Sequence, residues 1–182
     1  KQSSTIDVCI RNRWNRTTYR SPDHPVQLAI AREVEMRAGE SVAHVGMDGC
    51  GAPVLALSLV GLARSVSALV TAPEGDPGRI VVDAMRSHPQ MVGGTRREVT
   101  SVMQAVPGLV AKDGADGVYV GALDDGAAFA IKVLDGAERA RTVALAAVLT
   151  AMGWAGALEP WRTVPVLGHG SPVGEVRSPL LD

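Results

Sequence analysis

The spacing of apolar positions changes character along the chain. In SPDHPVQLAIAREVEMRAGE (residues 21–40), Leu28, Ile30 and Val34 supply one apolar face. Asp23 can cap such a helix, Pro25 suits its first turn and Gly39 ends it. Residues 42–45 are short enough for a strand. Gly49, Cys50 and Gly51 then make a turn, and from residue 53 to about 70 the apolar residues become dense. Leu55, Leu57, Leu59, Leu62, Val66 and Leu69 cover more than one helical face, which predicts a buried helix. TAPEGDPGR (71–79) is a loop. Short helices follow at 80–87 and 98–106, separated by the loop HPQMVGGTRREVT, whose paired glycines permit uncommon backbone angles.

After residue 108 the period shortens to two. The turn signals KDGADG, DDG and LDG divide the stretch into strands at 109–112, 118–123 and 127–134. An alanine- and leucine-rich helix is predicted at 137–152. The tail alternates weakly, consistent with an edge strand at 173–176. The expected fold class is α/β in the broad sense, or α+β, with an antiparallel sheet flanked by helices. No fixed-period repeat is present.

A chain of 182 residues, 46% hydrophobic and 20% charged, suits one globular domain with a real core. Aromatics make up only 3%, so Ala, Val and Leu must fill that core. The formal net charge of −1 makes nucleic acid a poor partner, and the arginines around Trp14 read as a solvated face. The longest apolar run is too short to span a bilayer. Two cysteines, Cys9 and Cys50, are no disulfide framework and match no CxxC zinc pattern. With no signal-like start, the expected location is cytoplasmic. The sequence begins at Lys1, and its polar, basic first twenty residues differ from the rest, as in a processed or partial protein.

Two residues stand out as candidates for chemistry. Lys112 closes a strand and precedes a glycine-rich turn, where it could act on a serine hydroxyl. A lysine that serves as a base near neutral pH must give up its proton about 3 pH units below the usual ~10.4, a change that burial or a neighbouring cation can drive. The plainer reading is a surface lysine at a turn. Cys50 lies between glycines at a turn read as entering a helix, where backbone N–H groups favour a thiolate. Asp48 nearby opposes that. The plainer reading of Cys50 is a buried small hydrophobe. Cys9 reads as structural. His24, His44, His88 and His169 are scattered and read as caps, loop or core residues.

The blocks SPDHPVQ, VAHVGMDGCGAPVLALSLVGLARSVSAL, HPQMVGGTRREVT, PGLVAKDGADGVYVGAL and VPVLGHGSPVGEV together resemble the L-asparaginase II family, of rhizobial and actinobacterial type. DGCGAP and AKDGADGVY are the specific ones. The resemblance runs from Cys9 to the end, with residues 1–8 atypical. It implies a serine β-lactamase or penicillin-binding-protein-like fold and hydrolysis of L-asparagine to L-aspartate and ammonia. It also implies a serine nucleophile in an SxxK motif with a second Ser–Lys pair, a zinc cluster of two cysteines and a lysine, and a homodimer. Lys112 matches the catalytic lysine on the sheet edge, with Asp113 where β-lactamases carry Ser or Thr in K-[ST]-G. Cys50 matches one cysteine of the metal cluster, and Lys1 falls on its lysine by register. Asp48, Gly49 and Gly114 are implied at the substrate.

The SxxK segment belongs to the family's N-terminal third and has no counterpart here. The expectation is therefore a single partial asparaginase domain over residues 1–182, incomplete at its N-terminus, with an incomplete zinc ligand set. The missing strands are expected to leave apolar surface open. The rival reading is a non-catalytic remnant that binds an amino acid or a partner subunit. A penicillin-recognising hydrolase shares the fold, but DGCGAP disfavours it.

Overall fold

The computed structural model describes residues 2–181. It divides into two compact units, residues 1–65 and 66–182, with the division falling inside a helix. Both mix helices with small antiparallel sheets.

The first unit opens with helix α1 (Gln2–Arg11) in the stretch that sequence marked only as polar and basic. Its Cys9 is fully buried with Tyr19 and Val26, and Ile6 and Trp14 close the cluster. Helix α2 (Pro25–Ala38) starts as expected at Pro25 and ends at Gly39 in the left-handed region. The cap, however, is His24 rather than Asp23. The His24 Nδ1 accepts the Val26 N–H at 3.2 Å, while Nε2 donates to the Asn15 carbonyl at 2.8 Å. The ring thus satisfies a free helix donor and ties α2 to the preceding loop.

Strands β1 (His44–Met47) and β2 (Pro53–Ala56) form a two-stranded antiparallel hairpin, pairing His44 with Ala56 and Met47 with Pro53. The expected helix from residue 53 is thereby corrected: its first turn is a strand. The true start of helix α3 (Leu59–Val70) is marked by Ser58, whose hydroxyl accepts the Gly61 N–H at 2.9 Å. Glu40 accepts from both the N–H and the hydroxyl of Ser58. Those two bonds hold the Glu40 carboxyl below its usual range. The apolar density of residues 53–70 hid this change of element, because neither state needs a polar residue there. Val8, Ile10, Leu28, Ile30, Met36, Val45, Met47 and Val54 leave apolar surface exposed in this unit.

The second unit carries the larger core. Helices α4 (Pro77–Ser87), α5 (Pro89–Gly93) and α6 (Glu98–Ala105) precede strands β3 (Val110–Asp113), β4 (Val118–Ala122) and β5 (Ala128–Lys132). The three strands pair antiparallel in sequence order, which leaves β3 at an edge. Helix α7 (Glu138–Ala151) packs on β4 and β5 and on a last hairpin, β6 (Thr163–Gly168) with β7 (Ser171–Arg177). Where sequence suggested one sheet with a weak edge strand, the described residues form three separate sheets, and the tail is a hairpin of its own. Leu145, Ala146 and Leu149 of α7 are fully buried among Val99, Val102, Val106, Leu109, Val110 and Tyr119. No described helix is long and apolar enough to cross a membrane.

Leu149→Ala removes a fully buried side chain from this cluster. A loss of about 3 kcal/mol is expected, read from the urea unfolding midpoint.

Candidate functional site

Cys50 sits at the tip of the β1–β2 hairpin, not at a helix N-terminus. The Asp48 N–H donates to the Ala52 carbonyl and the Gly51 N–H to the Asp48 carbonyl, both at 2.8 Å. Gly51 has φ of +76°, the left-handed position that a three-residue hairpin loop needs. A Cβ there would also lie 2.8 Å from Arg20 Nη1. The helix-terminus argument for a thiolate therefore does not apply to Cys50. Its thiol is exposed and donates to Asp48 Oδ2 at 3.4 Å, while Asp48 Oδ1 accepts the Gly49 N–H at 2.8 Å. Asp48, Gly49 and Cys50 thus come together in one turn.

Gln2 was not singled out by sequence reasoning, yet its amide anchors that turn. Nε2 donates to the Cys50 carbonyl at 3.0 Å, and Oε1 accepts the Tyr19 hydroxyl at 2.7 Å. No local spacing could reveal a bond across 48 residues.

Zinc requires three or four ligands. Among the described residues no three His, Cys, Asp or Glu side groups converge. Cys50 and Asp48 offer two donors, and Lys1 lies outside the described residues. The side chains described do not by themselves make a structural or catalytic zinc site.

Lys112 lies in the second unit on edge strand β3, opposite Val120. Along β3 Val110 and Ala111 are buried, and Lys112 beyond them is half exposed. Its ammonium donates to the Asp113 carboxylate and to the Asp113 carbonyl. Gly114 continues the hairpin with both backbone groups engaged. Its N–H donates to the Val118 carbonyl at 2.9 Å, and its carbonyl accepts from Arg141 at 3.4 Å. Gly117, with φ of +70°, closes the turn where a Cβ would lie 2.7 Å from Val133 Cβ.

Beneath this hairpin is a polar cluster that sequence reasoning missed. Arg141 on α7 is nine-tenths buried, with its guanidinium 5.7 Å from the centre of the Tyr119 ring and 3.5 Å from Glu138. Asp113 also meets Arg97 at 3.2 Å. Burial raises the Asp113 pKa, but the hydrogen bond and charge of Lys112, with Arg97 and Arg141, outweigh it and leave the carboxyl below its ordinary value. Tyr119 is pushed far above the phenol range by burial and by the charges of Glu98 and Asp113. Its hydroxyl is buried without a hydrogen-bond partner. An arginine inside an alanine-rich helix carries no sequence signal that distinguishes it from a solvated one.

The sequence profile of L-asparaginase II matches residues 1–178. The chain belongs to the L-asparaginase II family. No curated protein matches it. Membership makes the DGCGAP and AKDG turns just described parts of an asparaginase-family protein.

A carboxyl lowered on folding contributes stability above its unfolded pKa of about 3.9 and loses it as pH falls through the folded value. This asparaginase-family protein should therefore exceed Asp113→Asn in stability at neutral pH, with the difference starting to shrink near about pH 4 and disappearing only below the lower folded value. Urea midpoints at neutral and acid pH measure it.

Proposed function

We propose that this protein contributes to hydrolysis of L-asparagine, in which water adds across the amide bond of the substrate's carboxamide group and L-aspartate and ammonia leave. Family membership over residues 1–178 is the observation that carries the reading. The proposed architecture is serine β-lactamase-like. In support, helix α7 packs on an antiparallel sheet whose edge strand carries the KDG sequence.

Lys112 is proposed as the catalytic lysine that partners the second serine of the family's two Ser–Lys pairs; as the nucleophilic serine oxygen bonds to the amide carbon and the C–N bond breaks, the serine proton goes to the departing ammonia, and water then cleaves the acyl ester to release L-aspartate. Its place on an exposed edge supports this, since a substrate can reach it. Asp48, Gly49 and Gly114 are proposed at the substrate. Cys50 is proposed as a metal ligand together with Lys1, a reading supported by its exposed thiol beside a carboxylate. Given only that partial set, no step is assigned to zinc. A homodimer and a cytoplasmic location complete this reading.

The 182 residues hold three lysines, and no serine stands three places before Lys112 or Lys132. A second reading is a non-catalytic protein that binds an amino acid or a partner subunit, which the Asp113 carboxylate seated on the Lys112 ammonium favours. Ammonia release from L-asparagine separates the two. Turnover that falls at least about a hundredfold in Lys112→Ala supports catalysis by these 182 residues. Turnover only when the protein is extended by a segment bearing SxxK supports the family reaction in the longer form. No turnover in either form, with asparagine still bound in calorimetry, supports the non-catalytic reading.

Zinc content gives an independent check. The expected result is well under one zinc per purified protein molecule. One firmly held zinc per molecule, lost in Cys50→Ser, overturns the partial-ligand reading.

A further inference from the structure

The loop HPQMVGGTRREVT sets a guanidinium beside the KDG turn. Gly94 has φ of +103°, and a Cβ there would lie 3.2 Å from Arg97 Cγ, so the stem of Arg97 rests over a glycine. The buried Thr100 hydroxyl shares its proton between the Gly94 carbonyl at 2.7 Å and the Pro89 carbonyl at 3.2 Å, which pins the loop. The head of Arg97 is 53% exposed. Its Nη2 donates to Asp113 Oδ2 at 3.2 Å, and among the described residues Nε and Nη1 meet no partner. Lys112, also half exposed, takes the other oxygen of that carboxylate. Glu138, at the start of α7, is 71% exposed and lies 3.9 Å from Arg97 Nη2. Its carboxylate accepts no hydrogen bond among the described residues, and Arg141 stands off at 3.5 Å.

We propose that Arg97 and Glu138 form a subsite for the two backbone charges of a free α-amino acid, with Arg97 taking the α-carboxylate and Glu138 the α-ammonium. The proposal rests on the reading of L-asparagine as the molecule that meets the Lys112 turn, and names the end of it that is held.

The physical case starts from the donors left over. A guanidinium that spends one N–H of Nη2 on Asp113 can still hold a second carboxylate at two points. The α-carboxylate and α-ammonium of an amino acid share one carbon, so their receptors must be neighbours, as Arg97 and Glu138 are. Lys112 and buried Arg141 also face Asp113, so three cations meet two carboxylates at this turn. Glu98, the next carboxylate along, is engaged by Thr142. An incoming carboxylate therefore meets local positive charge. Gly94 and Thr100 fix the seat of Arg97 in advance, which reduces the ordering cost of binding.

Calorimetry at low salt with three probes tests this: L-asparagine, L-asparaginamide, whose α-carboxylate is replaced by an uncharged amide, and succinamate, which lacks the amine. The unaltered protein should bind L-asparagine about tenfold more tightly than L-asparaginamide, the size of one charge-assisted pair. Its preference over succinamate should be about threefold, as suits the more exposed Glu138. Arg97→Gln should abolish the first preference and spare the second, and Glu138→Gln should do the reverse. Arg97→Lys should keep part of the first, since a point charge lacks the two-point geometry. A purely structural role for Arg97 would weaken all three probes alike, and that result in Arg97→Gln overturns the proposal. So does an unaltered protein that fails to bind L-asparagine, or that binds it no better than L-asparaginamide. Ammonia release is measured separately. An Arg97-dependent preference without turnover sinks the catalytic reading and leaves this one standing, and turnover with no such preference does the opposite.

Discussion

Burial of α7 is the constraint on which the second unit depends. Its small and branched residues let the helix lie close on β4 and β5 while also covering the β6–β7 hairpin. A protein with one phenylalanine and few other aromatics has little else with which to fill such a layer. The same helix must carry Arg141 inward, because the residue shares the face that binds the sheet. Apolar packing therefore fixes where a cation sits. That cation lies beneath the KDG turn, next to the carboxylate that holds Lys112. Core and chemistry are coupled through one helix orientation.

The first unit is built on different terms. Its buried cluster is small, and much of its order comes from side-chain bonds to backbone. His24 ties a loop to a helix, Gln27 donates to the Tyr19 carbonyl, and Glu40 fastens the start of α3. Such bonds are worth modest amounts each and are specific in geometry. They set the shape of a unit that leaves many apolar side chains in solvent.

Local signals in the sequence carried the second unit well. The change to two-residue alternation located β3, β4 and β5, because KDGADG and DDG demand turns wherever they occur. Helix α7 was equally plain, since its alanine and leucine run has no breaker before Met152. The failures share a cause. Residues 53–56 are as apolar as the helix that follows, so hydrophobicity could not show a strand that exists by pairing with His44 to Met47. His24 took the cap from Asp23 because the Asn15 carbonyl was there to receive its second nitrogen. At the candidate site, Lys112 and Cys50 were legible as residues, and their turns as turns. Gln2, Arg97 and Arg141 were not, because each acts through a partner distant in sequence.

The bond from Gln2 to the Cys50 carbonyl has a consequence for how the exposed thiol behaves in time. Helix ends open and close far more often than whole domains unfold. Gln2 is in the first turn of α1, so fraying there removes one of the bonds that hold the hairpin tip. The thiol is thus governed by two clocks: the motion of its own loop, and the breathing of a helix terminus that precedes it by 48 residues.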